Sequence, residues 1–90
     1  MTNVVRFPLG QVAITANASL RLATEEVLTA LRRHASGDWG DLGPDDTLAN
    51  DTALRQGGRL FSAYGQNQHR FWVITEADRS VTTVLLPEDY

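Results

Sequence analysis

The last third of the chain constrains the fold most, because its apolar residues follow the two-residue period of β-strands. Residues 59–65, 70–76 and 80–86 are rich in aromatic and β-branched side chains, which are favoured in strands. Turn-forming residues separate the three segments at positions 65–69 and 77–79. This pattern predicts a three-stranded antiparallel meander.

The central segment of this meander is apolar on both of its faces. Trp72 and Ile74 alternate with Phe71 and Val73, so neither face consists of polar side chains alone. A strand of this kind needs cover on both sides. We expect a helix on one face and the N-terminal segment or a partner on part of the other. A homodimer closed through that second face is therefore possible.

Helical signals precede the strands. One segment begins with Glu25 and Glu26 and ends with Arg32 and Arg33. Negative charge at its start and positive charge at its end match the helix dipole. Its apolar residues lie at helical spacing, which predicts a helix with Thr24 as its N-cap and Gly37 just beyond its end. His34 falls on the edge of the apolar stripe, facing inward.

Shorter elements are expected on either side of this helix. A second helix is predicted from Pro44 to about Gln56, because proline suits the first helical position and glycines follow at 57 and 58. Residues 4–7 suggest a short edge strand. Residues 12–15 suggest another extended segment, which ends at a possible N-cap before helical turns at 16–22.

These elements predict a single α+β domain over residues 1–90. Two or three N-terminal helices would pack on a three- to four-stranded antiparallel sheet that includes the C-terminal meander. Ninety residues suffice for one core and no second lobe. The chain has no cysteine, which excludes a disulfide scaffold. No apolar run spans a membrane, and the N-terminus lacks the order of a signal peptide, so we expect a soluble cytoplasmic protein.

Charge argues against general nucleic-acid binding. Eleven acids oppose eight arginines, no lysine is present, and the formal net charge is −3. Proteins that bind DNA or RNA gain affinity largely by neutralising phosphates with basic residues. A partner of opposite charge, such as a DNA-binding protein, is more compatible with this composition.

Acidic residues concentrate between the end of the first predicted helix and the first turn of the second. Asp38, Asp41, Asp45 and Asp46 surround Trp39, and together these five are the candidate binding residues for a protein partner. Solvated or helix-capping roles remain open for the aspartates, as does a core role for the tryptophan. The spacing does not match a calcium loop, and two isolated histidines do not make a zinc site. We therefore expect no metal and no cofactor.

An enzymatic alternative rests on four residues. His34 could act as acid and base, Arg59 could stabilise a pentavalent phosphate, and Ser62 and Tyr64 could orient it. Metal-independent RNA cleavage requires such groups. The layout of helices followed by an antiparallel sheet is similar to that of the barnase, colicin and RelE-like ribonucleases, which is an analogy at the level of the fold.

Two sequence segments resemble a family of small plasmid-related proteins found on bacterial mobile elements. These segments are GDWGDL at positions 37–42 and the run from Trp72 to Tyr90, and the resemblance covers roughly residues 34–90. It implies a setting of mobile DNA in a bacterial cytoplasm. It implies no particular activity. In this setting we expect a small accessory protein that binds a protein partner, such as a host defence protein or a DNA-binding protein, in a regulatory or anti-defence role.

Overall fold

The computed structural model describes residues 4–90 and confirms the α+β fold. Two short 3-10 helices, Asn67–His69 and Pro87–Asp89, accompany the main elements. No helix in the described part of the chain is long and apolar enough to cross a membrane. In chain order, the helices and strands are β1 (Gln11–Ile14), α1 (Ala16–Arg21), α2 (Thr24–Ala35), α3 (Pro44–Gln56), β2 (Leu60–Tyr64), β3 (Phe71–Thr75) and β4 (Val81–Leu85).

The four strands form one sheet in the order β1-β4-β3-β2. The pairs β2-β3 and β3-β4 are antiparallel, as the meander predicts. β1 pairs with β4 in parallel, with Gln11 opposite Val81 and Ile14 opposite Val84. The sheet is therefore mixed, and the expectation of a purely antiparallel sheet is wrong for this pair. A parallel pair needs a long crossover, which the three helices and the first two strands of the meander supply.

The predicted edge strand at residues 4–7 is wrong. These residues form no strand, although the backbone N–H of Arg6 donates to the carbonyl of Ala35 at 2.8 Å. Phe7 is buried and packs with Trp39 and Leu60 in a small apolar cluster. Phe7 therefore packs into the core and does not join the sheet, whereas Val4 and Val5 are exposed.

The helix boundaries agree with the sequence to within a residue or two. Thr15 caps α1, accepting a hydrogen bond from the Ala18 N–H at 3.2 Å. The N-cap of α2 is Ala23 and not Thr24, which is already helical. Gly37 follows the end of α2 with a φ of 84°, a left-handed conformation that suits glycine.

All three helices lie on the same side of the sheet. We call this side the covered face; its strand residues include Leu60, Tyr64, Phe71, Val73 and Val84, which pack with the helices or with Phe7 and Trp39. Since strand side chains alternate, the other side carries the residues between them. We call it the open face; its strand residues are Gln11, Ala13, Phe61, Ala63, Trp72, Ile74, Val81, Thr83 and Leu85. Phe7 and Leu9 pack on the covered side, so the described part of the N-terminal segment does not cover the open face as expected.

The C-terminal residues attach α1 to the sheet. Thr15 and Asn17 donate side-chain hydrogen bonds to the Asp89 carboxylate at 2.6 and 2.8 Å, and the Leu86 N–H donates to it at 3.0 Å. The Thr15 hydroxyl is the main cause of a lowered Asp89 pKa. One carboxylate thus joins the start of the first helix to the end of the last strand.

Candidate functional site

His34 lies at the centre of a buried polar network on the covered face. Its position in the last turn of α2 directs the ring towards the sheet, where it is completely shielded from solvent. Nδ1 lies 2.5 Å from Ser62 Oγ on β2, and Nε2 lies 2.9 Å from Thr75 Oγ1 on β3. The helical spacing that placed His34 on the inner stripe is therefore confirmed, and the histidine is more deeply buried than the stripe edge implied.

The direction of each hydrogen bond in this network follows from its last member. The Thr82 hydroxyl donates to the carbonyl of Leu9 at 2.6 Å, so its oxygen accepts from Thr75 at 2.6 Å. Thr75 has then used its only hydrogen and accepts from the Nε2–H of His34. Nδ1 of the histidine is left as an acceptor, to which Ser62 donates. Every hydroxyl and ring nitrogen in the network is satisfied.

The surroundings of His34 keep it uncharged. Burial, with a smaller effect of the Arg79 charge, lowers its pKa to about 4, since a low-dielectric environment disfavours the imidazolium. The rings of Phe7 and Trp39 lie edge-on to it, at centroid distances of 5.3 and 5.7 Å. The histidine is thus a neutral ring enclosed by aromatic residues, and it presents no nitrogen to solvent.

The structure brings together only part of the predicted catalytic set. His34 and Ser62 are in contact, but both are fully buried. Tyr64 is buried as well; its hydroxyl donates to the backbone carbonyl of Asp38 at 2.6 Å, and burial raises its pKa to about 12. Arg59 belongs to the open face, where it contacts Tyr90 and Glu76. The sheet therefore separates the arginine from the histidine.

The predicted acidic binding residues do not share one role. Asp38 pairs with Arg33 at 2.7 Å, a hydrogen bond that lowers the Asp38 pKa, and Asp41 pairs with Arg70 at 2.8 Å. Asp45 and Asp46 lie in the first turn of α3, where they favour the helix dipole. Two of the four carboxylates are therefore already paired within the chain. Among residues 4–90, no group of three or more potential ligands could hold a metal ion.

Trp39 belongs to the core and not to an exposed surface. Its side chain is buried, and its indole N–H donates to the Asp51 carboxylate at 3.1 Å. The ring stacks against Phe7 at a centroid distance of 6.1 Å. Trp39 therefore fixes the loop after α2 to α3 and contributes little contact area for a partner.

A groove of about 1140 Å³ lies between the N-terminal segment and α2. Its lining includes Val5, Leu9, Leu28 and Leu31, with Arg32 and Arg33 supplying its charge. It contains no histidine or carboxylate, and His34 does not line it. The groove therefore offers no acid or base for catalysis.

The open face carries a row of aromatic rings that extends across the sheet. Phe61 and Trp72 contact each other at a centroid distance of 5.0 Å, and Trp72 contacts Tyr90 at 5.7 Å. Tyr90 is 70% exposed, whereas Phe61 and Trp72 are half-buried. Ile74 and Leu85 lie opposite Phe61 and Trp72 in the strand register, but both are buried, so the three rings provide the accessible part of this surface. We call these five residues the aromatic face.

Arg59 holds the most exposed ring of the aromatic face in position. Its guanidinium donates to the Tyr90 hydroxyl at 2.9 Å and lies 5.7 Å from the ring centroid. Glu76 approaches the same guanidinium at 3.6 Å. A tyrosine anchored in this way loses little conformational freedom when a partner binds.

Sequence reasoning did not identify the aromatic face as a site, although part of its signal was present. The alternation of Trp72 and Ile74 with Phe71 and Val73 indicates two apolar faces. Nothing in that alternation shows which face the helices cover. Tyr90 lies after the proline that ends the last strand, so strand periodicity does not place it.

The comparisons with known proteins add no assignment to this geometry. No protein-family model, no curated protein sequence and no solved structure matches the chain.

Proposed function

We propose that this chain is a small cytoplasmic accessory protein of a bacterial mobile element, which acts by binding a protein partner and not by catalysis. The observation that carries the proposal is the aromatic face, where three contacting rings lie on a sheet surface free of helices. Tryptophan, tyrosine and arginine are the residues that most often dominate binding energy at protein interfaces. Trp72, Tyr90 and Arg59 supply all three.

The partner favoured by this surface is a protein with an apolar patch inside a basic surround. The rings of Phe61, Trp72 and Tyr90 supply an apolar centre, and the formal charge of −3 attracts a positively charged protein over longer distances. A host defence protein or regulator that itself binds DNA has that charge. The resemblance to plasmid-related proteins supports the same setting, because mobile elements meet such proteins when they enter a cell.

The proposal differs from the sequence-based expectation in where the partner binds. The sequence predicts that Trp39 and the acidic residues at positions 38–46 form the contact surface, but Asp38 and Asp41 are engaged by arginines and Trp39 is buried. Asp45 and Asp46 remain available to steer a basic partner. We assign the contact to the aromatic face and a steering role to these two acids.

The test compares variants of the two surfaces against one identified partner. A partner captured from a bacterial lysate is purified, and its affinity is measured by calorimetry for the wild type, for Trp72→Thr, and for the double variant Asp45→Asn with Asp46→Asn. We expect Trp72→Thr to weaken binding at least ~10-fold, corresponding to loss of one anchor. The double variant should lower the association rate and leave the dissociation rate nearly unchanged.

A matched control separates the site from general loss of apolar surface. Leu48 on α3 is 63% exposed and lies away from the open face, so Leu48→Thr should bind the partner as the wild type does. The proposal fails if Trp72→Thr binds with wild-type affinity, or if the acidic double variant alone abolishes the complex.

The ribonuclease alternative makes an opposite prediction. It requires His34 to reach a phosphate, although the ring is enclosed and Arg59 lies on the other side of the sheet. Metal-free cleavage of RNA by the wild type, lost in His34→Gln and retained in Trp72→Thr, would establish the alternative. Intact RNA in the presence of the folded protein would exclude it.

A further inference from the structure

The sheet has two outer edges, and the chain protects only one of them. Along β2, the Asn50 side chain donates to the Phe61 carbonyl at 2.6 Å and accepts from the Phe61 N–H at 3.0 Å. Two residues further on, the Ala63 N–H donates to the carbonyl of Trp39 and the Ala63 carbonyl accepts from the Asp41 N–H, at 3.1 and 2.8 Å. The outward-facing backbone groups of β2 are therefore occupied.

The opposite edge, on β1, has no such protection among the residues that the structure describes. The Gln11 N–H donates to the carbonyl of Ser80, just before β4, and the Thr15 N–H donates to that of Val84. By alternation Ala13 also faces β4, and the backbone groups of Val12 and Ile14 face outward. No other strand lies beyond β1. The side chains of Val12 and Ile14 are 45% and 42% exposed.

The sequence around β1 lacks the usual defences of an edge strand. Exposed edges are normally blunted by charged side chains, by proline within the strand or by a covering loop. Residues 7–20 contain no charged side chain, and the only proline there, Pro8, precedes the strand. Within the same molecule, the β2 edge is covered at every outward residue. The absence of protection at β1 is thus specific to that edge.

We propose that β1 is a homodimerisation strand, which pairs antiparallel with β1 of a second copy of this chain. The register places Ala13 on the two-fold axis and Val12 opposite Ile14 of the second copy. All outward N–H and C=O groups at Val12 and Ile14 are then paired, in four hydrogen bonds between the copies. The four-stranded sheet becomes one continuous sheet of twice that width.

The strand is suited to a copy of itself. A two-fold axis brings the same surface together from both chains, so any charge on β1 would meet its own like charge, and β1 carries none. Valine opposite isoleucine is a favourable cross-strand pair. Because a two-fold axis perpendicular to the sheet keeps both open faces on the same side, the dimer would present two aromatic faces together. The dimer does not depend on the proposed function, since β1 and the aromatic face are separate surfaces.

Two substitutions at β1 test the pairing without breaking the internal sheet. Val12→Pro removes an outward N–H that makes no bond within the chain, and edge strands tolerate such a proline. Ile14→Lys places like charges near the axis. We expect wild-type protein to sediment as a dimer at ~100 μM, and each variant to raise the dissociation constant at least ~10-fold. Leu48→Lys, the same kind of change at an exposed leucine of α3, should leave the dimer intact.

Amide hydrogen exchange provides a readout at single residues. In the dimer, the Val12 and Ile14 amides should exchange as slowly as those of Ala13 and Thr15, which face β4 in either state. In the Ile14→Lys variant, the Val12 amide should exchange faster while the Ala13 and Thr15 amides stay protected, which also shows that the variant is folded. The proposal is overturned if the wild type remains monomeric at ~1 mM, or if a dimer persists in both β1 variants.

Discussion

The covered face and the open face of the same sheet are built from different kinds of side chain. The covered face contains the chemically versatile residues, His34, Ser62 and Thr75, in a network from which solvent is excluded. The open face exposes aromatic rings, and its polar groups, such as Thr83 and Arg59, form no such buried network with a histidine. His34, Ser62 and Thr75 are therefore shielded from any substrate, whereas part of the aromatic surface is accessible to solvent.

This difference has a physical basis in how polar groups are satisfied. A buried hydroxyl or imidazole must find a partner or lose stability, and each member of the network has one. The aromatic rings on the open face carry no such requirement, except at the Tyr90 hydroxyl, which Arg59 satisfies. A polar residue in the core of a small domain can thus serve the fold alone.

Two neighbours on β3 give the largest expected contrast between the faces. Phe71 points into the core and is 1% exposed, whereas Trp72 points to the open face. We expect Phe71→Ala to lower the free energy of unfolding by about 4 kcal/mol, and Trp72→Ala by about 1 kcal/mol, although tryptophan is the larger side chain. Urea denaturation of both variants measures this. Equal losses would mean that the open face is part of the core.

Removal of the histidine tests the network itself. In His34→Leu, the Ser62 hydroxyl loses the acceptor for its hydrogen and Thr75 loses a donor, so we expect a loss of about 3–4 kcal/mol in the free energy of unfolding. His69→Leu is the matched control, because His69 is exposed; its effect should stay below about 0.5 kcal/mol. Similar stabilities for the two variants would contradict a stabilising role for the network.

The pH dependence of stability should report the same histidine. The pKa of His34 is about 4 in the folded protein and 6.5 in its ordinary state, so the unfolded chain binds the proton more readily. Stability should therefore fall as the pH decreases from 6.5 to 4, by about 3 kcal/mol in total, with no contribution from His34 above pH 6.5.

Urea denaturation across this pH range measures the decline, and His34→Gln should flatten it. Asp38 and Asp89 do not contribute to this decline. Their pKa values are lowered in the folded protein, so their stabilising effect is lost only as the pH falls below about 4. A decline that persists unchanged in His34→Gln would assign it to other groups.

The two acids in the first turn of α3 should show the smallest effect on stability. Asp45→Asn together with Asp46→Asn weakens a favourable interaction with the α3 dipole, at exposed positions where such terms are small. We expect a change of less than about 0.5 kcal/mol in the free energy of unfolding, measured by urea denaturation. A loss above 1 kcal/mol would show that these acids serve the fold as well as the surface.

Repeating or local sequence patterns correctly predicted most of the helices and strands. The helical stripe of α2, the proline and glycines that bound α3, and the alternation in the last three strands all predicted elements that the structure contains. These signals are local, since each depends on residues a few positions apart. The inward direction of His34 followed from the same periodicity.

What the sequence did not reveal depends on contacts between distant segments. The parallel pairing of β1 with β4 joins residues about seventy positions apart, and no local pattern in four residues predicts it. The partners of the aspartates were equally hidden, because Arg70 lies 29 residues after Asp41. Asn50, which occupies the edge of β2, appears in the sequence only as a polar residue within a helix.

The pairing of β1 with β4 also bears on how the protein is made. During synthesis, β1 emerges early, but its partner strand and the Asp89 carboxylate that fastens Thr15 leave the ribosome some seventy residues later. Contacts between such distant residues form late, because a long loop must close first. The residues of β1, which carry no charge, therefore have no partner strand until the end of the chain has been synthesised. A chaperone that shields residues 11–15 on the nascent chain would protect the segment most exposed to wrong pairing.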